Sequence, residues 1–201
     1  MILVTGATGF IGRSLVRKLA ADGRPVRCLL RPSRTSPNLP RGVPVEVAVC
    51  RLEDERGLRA ALSDVQTVFH LAGAERSGQA AQLQAVDVAG TQALAAAARQ
   101  AGVRQLVLLS HLDADRASAY PVQRAKGAAE EAARSSGVPS LIVQAAAVFG
   151  PGDWLTATLA ALSRRFPFFL PGDGQTLSQP LWVEDLTTCL LWSLDDPGLF
   201  G

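Results

Sequence analysis

Thr5-Gly6-Ala7-Thr8-Gly9-Phe10-Ile11-Gly12 follows the short apolar run Ile2-Leu3-Val4 at the start of the chain. The run is too short for a helix and reads as a buried strand. A stripe at Ile11, Leu15 and Leu19, ended by Gly23, reads as the next helix. Strand, glycine-rich turn and helix in that order make a phosphate-binding element. Gly6 permits the tight turn, Gly9 lets the backbone approach a pyrophosphate, and Gly12 lets the helix pack close to the strand. The free N–H groups and positive end of the helix then face the phosphates. Three glycines alone are a weak signal; the flanking strand and helix give them meaning.

Outward from this turn, strands and helices keep alternating. Strands are expected at Val26–Leu30, 43–49, 65–71, 106–109 and 141–143, with a short helix around Leu58, Ala61 and Leu62. Longer helices are expected over 79–100, with Leu83, Val86, Gly90, Leu94 and Ala97 on one face, and over 122–136. Such alternation implies crossover units and an α/β fold: a doubly wound parallel sheet with helices on both faces. After Gly150 the pattern turns loop-rich, through Pro151-Gly152-Asp153, Phe166-Pro167-Phe168-Phe169 and Gly172-Asp173-Gly174. A helix near Trp154–Ser163 and a last strand and helix over 181–194 complete the chain.

Composition narrows the function. With 48% apolar and 19% charged residues among 201, the chain can bury a core, which excludes disorder. Twenty Lys plus Arg against eighteen Asp plus Glu leave a net charge of +2, too little to argue for nucleic acid or an acidic membrane surface as partner. Cys28, Cys50 and Cys189 are widely spaced in apolar runs and read as reduced core thiols of a cytoplasmic protein. Neither CxxC nor Cys/His spacing appears, so no metal is expected, and two histidines leave no plausible Ser/His/Asp triad. No apolar stretch approaches ~18 residues, and Met1-Ile2-Leu3-Val4 lacks the basic region and cleavage site of a signal peptide.

The second expected strand ends in Arg31, with Arg34 beyond, and no Asp or Glu stands between Arg24 and Glu46. A carboxylate there would bind a ribose diol, whereas an arginine suits a 2′-phosphate. NADP(H) is therefore the expected cofactor, with NAD(H) as the alternative. The competing reading makes both arginines solvated loop charges.

Read together, several stretches resemble the extended and atypical short-chain dehydrogenase/reductases. They are the N-terminal Thr-Gly-x-x-Gly-x-x-Gly, His70-Leu71-Ala72-Gly73, Val86-Asp87-Val88-Ala89-Gly90-Thr91, Leu109-Ser110, Lys126 with Glu130, Val148-Phe149-Gly150-Pro151-Gly152-Asp153 and Trp182-Val183-Glu184-Asp185. The chain is similar to the epimerase/dehydratase-like branch related to NmrA-like proteins and to the nucleotide-binding accessory subunit of respiratory complex I. The resemblance implies a Rossmann-type domain over 1–150 and a partial substrate lobe over 151–201 packed on it. It implies a cofactor site formed by Gly6, Thr8, Gly9, Phe10, Ile11, Gly12, Arg31, Arg34, Leu52, Leu71, Ala72, Gly73 and Lys126. Arg51-Leu52 stands where relatives carry Asp-Leu against the adenine, and Leu52 can still pack on the base. His70 is expected to be a structural residue at a strand end.

For catalysis the resemblance implies Tyr120, Lys126 and Ser110. Tyr120 is the only tyrosine. Two registers compete: Tyr120 with Arg124 keeps the family's Tyr-to-Lys spacing, while Lys126 with Glu130 fits the downstream pattern and puts Val122 at the tyrosine position. The second is preferred, because Pro121 suits the first turn of a helix and leaves Tyr120 just before it. Gln144-Ala145 replaces the usual Arg-Pro, which weakens the case for a phosphorylated or sugar-nucleotide substrate. The expected activity is hydride transfer between NADP(H) and a small carbonyl or alcohol. The alternative is a non-catalytic NADP(H)-binding redox sensor or an accessory or assembly subunit of a respiratory complex. Relatives are commonly dimers through their fourth and fifth crossover helices. Members of the family run longer than this chain, so Phe166, Phe168, Phe169, Trp182 and Trp192 either pack on the sheet edge or offer a surface to a second copy or a protein partner.

Overall fold

A computed structural model describes residues 1–164, 175 and 177–201. The aromatic run Phe166, Phe168 and Phe169 and the turn Gly172-Asp173-Gly174 lie outside the described residues. The strands are β1 (Ile2–Thr5), β2 (Val26–Leu30), β3 (Glu46–Val49), β4 (Thr67–His70), β5 (Gln105–His111) and β6 (Ser140–Ala145). They form one parallel sheet in the order β3-β2-β1-β4-β5-β6. The central strand β1 is buried throughout, whereas edge strand β3 leaves Val47 and Val49 exposed. β3 begins at Glu46 rather than at 43, because Pro44 has no amide to donate to the ladder.

Side chains alternate across the sheet with period two, and each set meets its own layer. Leu3, Val68, Leu106 and Leu108 join Leu58, Leu94, Ala98, Ala129 and Ala133. Ile2, Val4, Phe69 and Val107 join Leu15, Val16, Leu19, Leu186 and Leu190 on the other side. The helices of the first layer are α2 (Glu55–Ala61), α4 (Gly90–Gln100) and α5 (Pro121–Arg134); those of the second are α1 (Phe10–Ala21) and α7 (Val183–Trp192). This is the doubly wound α/β architecture that the alternation implies.

Two local features depart from simple periodicity. The helix expected over 79–100 is one turn of α-helix, α3 (Ala80–Gln82), then a π-helical stretch Leu83–Ala89, then α4. A π turn carries an extra residue and rotates the helix beyond it. Leu83, Gly90 and Leu94 keep their buried places, but Asp87 is buried where Val86 was expected. The second departure concerns thiols. Cys28 and Cys50 are buried, and burial pushes the Cys28 thiol up to about 11. Cys189 is exposed on α7, so it is not a core residue.

Beyond Gly150, α6 (Trp154–Ser163) has every residue exposed except half-buried Leu155. A small parallel pair, β7 (Val148–Phe149) with β8 (Leu181–Trp182), ties the two ends of this excursion together. The Phe149 and Trp182 rings meet edge to face at 5.3 Å, while Trp192 is exposed. α7 is fastened to α1 by Ser14, whose hydroxyl donates to Glu184 at 2.7 Å, and by Lys18, whose ammonium donates to Thr188 at 2.6 Å.

Candidate functional site

The sheet runs outward from β1 to β2 and β3, then returns across β1 to β4. At that reversal the connections leave β1 and β4 on opposite faces and open a crevice at the strands' C-terminal ends, where ligands bind in open α/β sheets. The glycine turn sits there. Gly6 has φ +68°, and a Cβ on it would fall 2.6 Å from the Leu71 carbonyl oxygen. A Cβ on Gly12 would fall 2.1 Å from the Gly6 carbonyl oxygen, so only glycine lets α1 press against the turn. Gly9 and Thr8 are exposed at the rim. The first bond of α1 runs from the Arg13 amide to Gly9, and no side chain caps the helix. Among the described residues the first-turn amides therefore have no side-chain cap, and no acidic residue stands in that turn to repel an anion. Phe10 and Ile11 are half-buried and anchor the turn, Phe10 lying beside Gly150.

Thr5 and His70 hold the other wall. The Thr91 hydroxyl donates to the Asp87 carbonyl at 2.6 Å, so it accepts from His70 Nε2 at 2.9 Å. His70 Nδ1 is then an acceptor, and the Thr5 hydroxyl donates to it at 2.7 Å. Thr5 Oγ1 in turn accepts the Leu71 and Ala72 amides, each at 3.2 Å. Donors and acceptors thus fix one tautomer of a neutral imidazole. Burial, helped by the Lys126 charge, drives its pKa down to about 3. His70 is the structural strand-end residue expected, and it fixes the Leu71-Ala72-Gly73 turn.

At the far end of that turn lies an ion cluster. The Lys126 ammonium, with its side chain 5% exposed, pairs with Asp87 at 3.0 Å and with Glu75. Burial works to lower its pKa, but the attraction of Glu75 and Asp87 outweighs that and carries the value above the ordinary lysine range. Asp87 Oδ2 also accepts the Ala74 amide at 2.9 Å. Gly73 lies against the cluster: a Cβ there would come within 3.0 Å of Lys126 Nζ. Glu75 and Asp87 were not among the residues expected from the sequence. Asp87 stands within the Val86–Thr91 stretch, and its signal was a lone carboxylate in an otherwise apolar helix segment.

The remaining expected residues occupy separate places. Leu52 is half-buried and packs on Gly90. Arg31 and Arg34 are exposed beyond the end of β2. Ser110, at the end of β5, is buried, and its hydroxyl has no partner among the described residues. Tyr120 stands just before Pro121, as expected, and is 71% exposed. Among the described residues its hydroxyl shares no hydrogen bond with Lys126 or Ser110. Gln144 donates to Glu130 at 2.8 Å, and Arg134 donates to the same carboxylate at 2.9 Å. The Gln144 position therefore belongs to the packing of α5 on the sheet. A groove of about 730 Å³ lies elsewhere, between the outer faces of α4 and α5, lined by Ala95, Arg99, Ala128 and Ala132.

A parallel sheet reversing at β1, a glycine turn and an uncapped helix start define a nucleotide-binding protein. The chain belongs to the NAD(P)H-binding family, whose model matches residues 6–152. It is 38% identical over 176 residues to the ceramide reductase of Caulobacter vibrioides, covering 88% of this chain and 55% of that protein. It is 29% identical over 204 residues to the mitochondrial NADH dehydrogenase (ubiquinone) 1 alpha subcomplex subunit 9 of Arabidopsis thaliana, covering 97% of this chain and 50% of that protein. The chain thus spans about half the length of these curated relatives. Among solved structures it is similar to MoeE5 in complex with UDP-glucuronic acid and NAD, with a TM-score of 0.82, 28% identity and coverage of 97% of this chain and 72% of that one. No helix of the described residues is long and apolar enough to cross a membrane.

Proposed function

We propose that the chain binds NADP(H) at the glycine turn and serves hydride transfer between that cofactor and a carbonyl or alcohol. The uncapped start of α1, placed at the sheet reversal beside exposed Gly9, carries the reading. These residues fit a dinucleotide: amides for the pyrophosphate, and Arg31 and Arg34 for a 2′-phosphate. When bound, the nicotinamide supplies or accepts the hydride. Lys126 orients the adjoining ribose, the unpartnered Ser110 hydroxyl holds the substrate oxygen, and Tyr120 moves the proton at that oxygen. Similarity to a ceramide reductase, together with the exposed apolar side chains Trp154, Leu159 and Leu162 on α6, favours a substrate with an apolar portion.

A second reading is non-catalytic nucleotide binding within a protein assembly. The exposure of Tyr120 and the similarity to a respiratory-complex subunit favour it. Calorimetric titration with NADPH, NADP⁺, NADH and NAD⁺ separates the cofactors. The reading predicts tighter binding of the 2′-phosphorylated pair by about tenfold, one charge-assisted contact's worth, and loss of that preference in Arg31→Ala. Turnover abolished in Tyr120→Phe with binding unchanged supports the reductase. Binding without turnover on any carbonyl supports the second reading.

A further inference from the structure

The two carboxylates that neutralise Lys126 differ in how firmly they are held. Asp87 is buried at 1% exposure; its Oδ2 accepts the Ala74 amide, and its Oδ1 lies 3.0 Å from the Lys126 ammonium as an ion pair, with no hydrogen-bond partner of its own among the described residues. Glu75 lies on the irregular segment after β4, and its side chain is 46% exposed. Between them Gly73 is exposed, and a Cβ there would press on the ammonium and on both carboxylates, at 3.0 to 3.1 Å. The ammonium therefore has a fixed inner partner and a loosely held outer one, under a stretch of bare backbone.

We propose that Glu75 is a displaceable cap on Lys126, holding the ammonium's outward donor until a cofactor ribose hydroxyl takes it. The inference rests on the nucleotide reading above. An ammonium offers three donors, and a buried one is costly to leave without a counter-charge. Asp87 supplies that counter-charge throughout, so exchange of the outer partner never strands Lys126. Displacing Glu75 leaves the Asp87 pair in place, and the carboxylate that leaves is already half in water, which lowers the cost of the exchange. Glu75 is thereby an affinity-setting residue: cofactor binding must displace it, and its removal strengthens binding.

The test is titration of NADPH and NADP⁺ into the wild-type protein, Glu75→Gln and Glu75→Ala, with circular dichroism confirming the fold of each. Both variants are expected to bind about two- to fivefold more tightly, the range a half-exposed ion pair supports, and equally for the two redox forms. Binding by the variants alone would support the cap still more strongly. Wild-type binding that is unchanged or weakened in the variants overturns the cap and leaves the nucleotide reading intact. Selective loss of NADP⁺ affinity would mean that Glu75 faces the cationic nicotinamide, and also overturns it. No binding by any of the three proteins overturns the nucleotide reading, and the cap falls with it.

Discussion

The two ends of the Leu71-Ala72-Gly73 turn are built on different physics. At one end backbone meets backbone: the Gly6 turn abuts the Leu71 carbonyl, α1 presses on Gly6, and the Thr5 hydroxyl collects two amides. At the other end charges from three separate segments converge, Lys126 from α5, Asp87 from the π-helical stretch and Glu75 from the segment after β4. The first arrangement tolerates almost no added atom. The second tolerates no loss of its buried charges, Lys126 and Asp87.

The largest effect is expected at the charged end. Asp87→Ala removes the buried partner of Lys126 and should destabilise the protein by about 3–5 kcal/mol, the cost of breaking a buried ion pair from one side. Chemical denaturation measures it, and a loss below about 1 kcal/mol would show that Glu75 alone satisfies the ammonium. At the backbone end, Gly12→Ala drives a methyl into the Gly6 carbonyl. It should cost about 3 kcal/mol, the upper range of overpacking, despite the better helix propensity of alanine.

Between these two ends sits His70, and pH probes it. Its native pKa near 3 lies below the ordinary 6.5, so the unfolded chain takes up the proton first as pH falls. The stabilisation is complete above about pH 6.5 and is lost progressively below it. Between pH 7 and pH 5 wild type should lose about 2 kcal/mol more than His70→Gln, read from denaturation midpoints at each pH. Equal slopes for the two proteins would mean the imidazole is not held neutral. The smallest effect is expected outside the site, at Arg134→Ala. Its partner Glu130 keeps the Gln144 bond, and Arg134 is 55% exposed, so the loss should stay near 0.5 kcal/mol.

The contrast also explains what the sequence disclosed. The glycine turn, β1 and α1 were legible because contiguous residues encode them and their spacing has few other uses. The strand alternation gave the sheet, and Pro121 placed Tyr120 ahead of α5. The charged end was not legible, because no local pattern joins residues 75, 87 and 126. Helical periodicity put Val86 inward, and only the π turn, which sequence spacing does not announce, brings Asp87 there instead. The Gln144 contact is likewise not announced by spacing: its amide donates to Glu130 on the neighbouring helix.

The central claim is that the glycine turn receives a dinucleotide pyrophosphate. Gly9 tests it most directly, because its φ of −75° suits alanine and, among the described residues, a Cβ there meets only the Gly6 carbonyl, at 3.1 Å. NADPH titrated into wild type and Gly9→Ala should bind the first and bind the second at least about tenfold more weakly, with melting temperatures within a few degrees. Equal affinity in the two proteins, or no binding by either wild type or the Glu75 variants, would contradict the account.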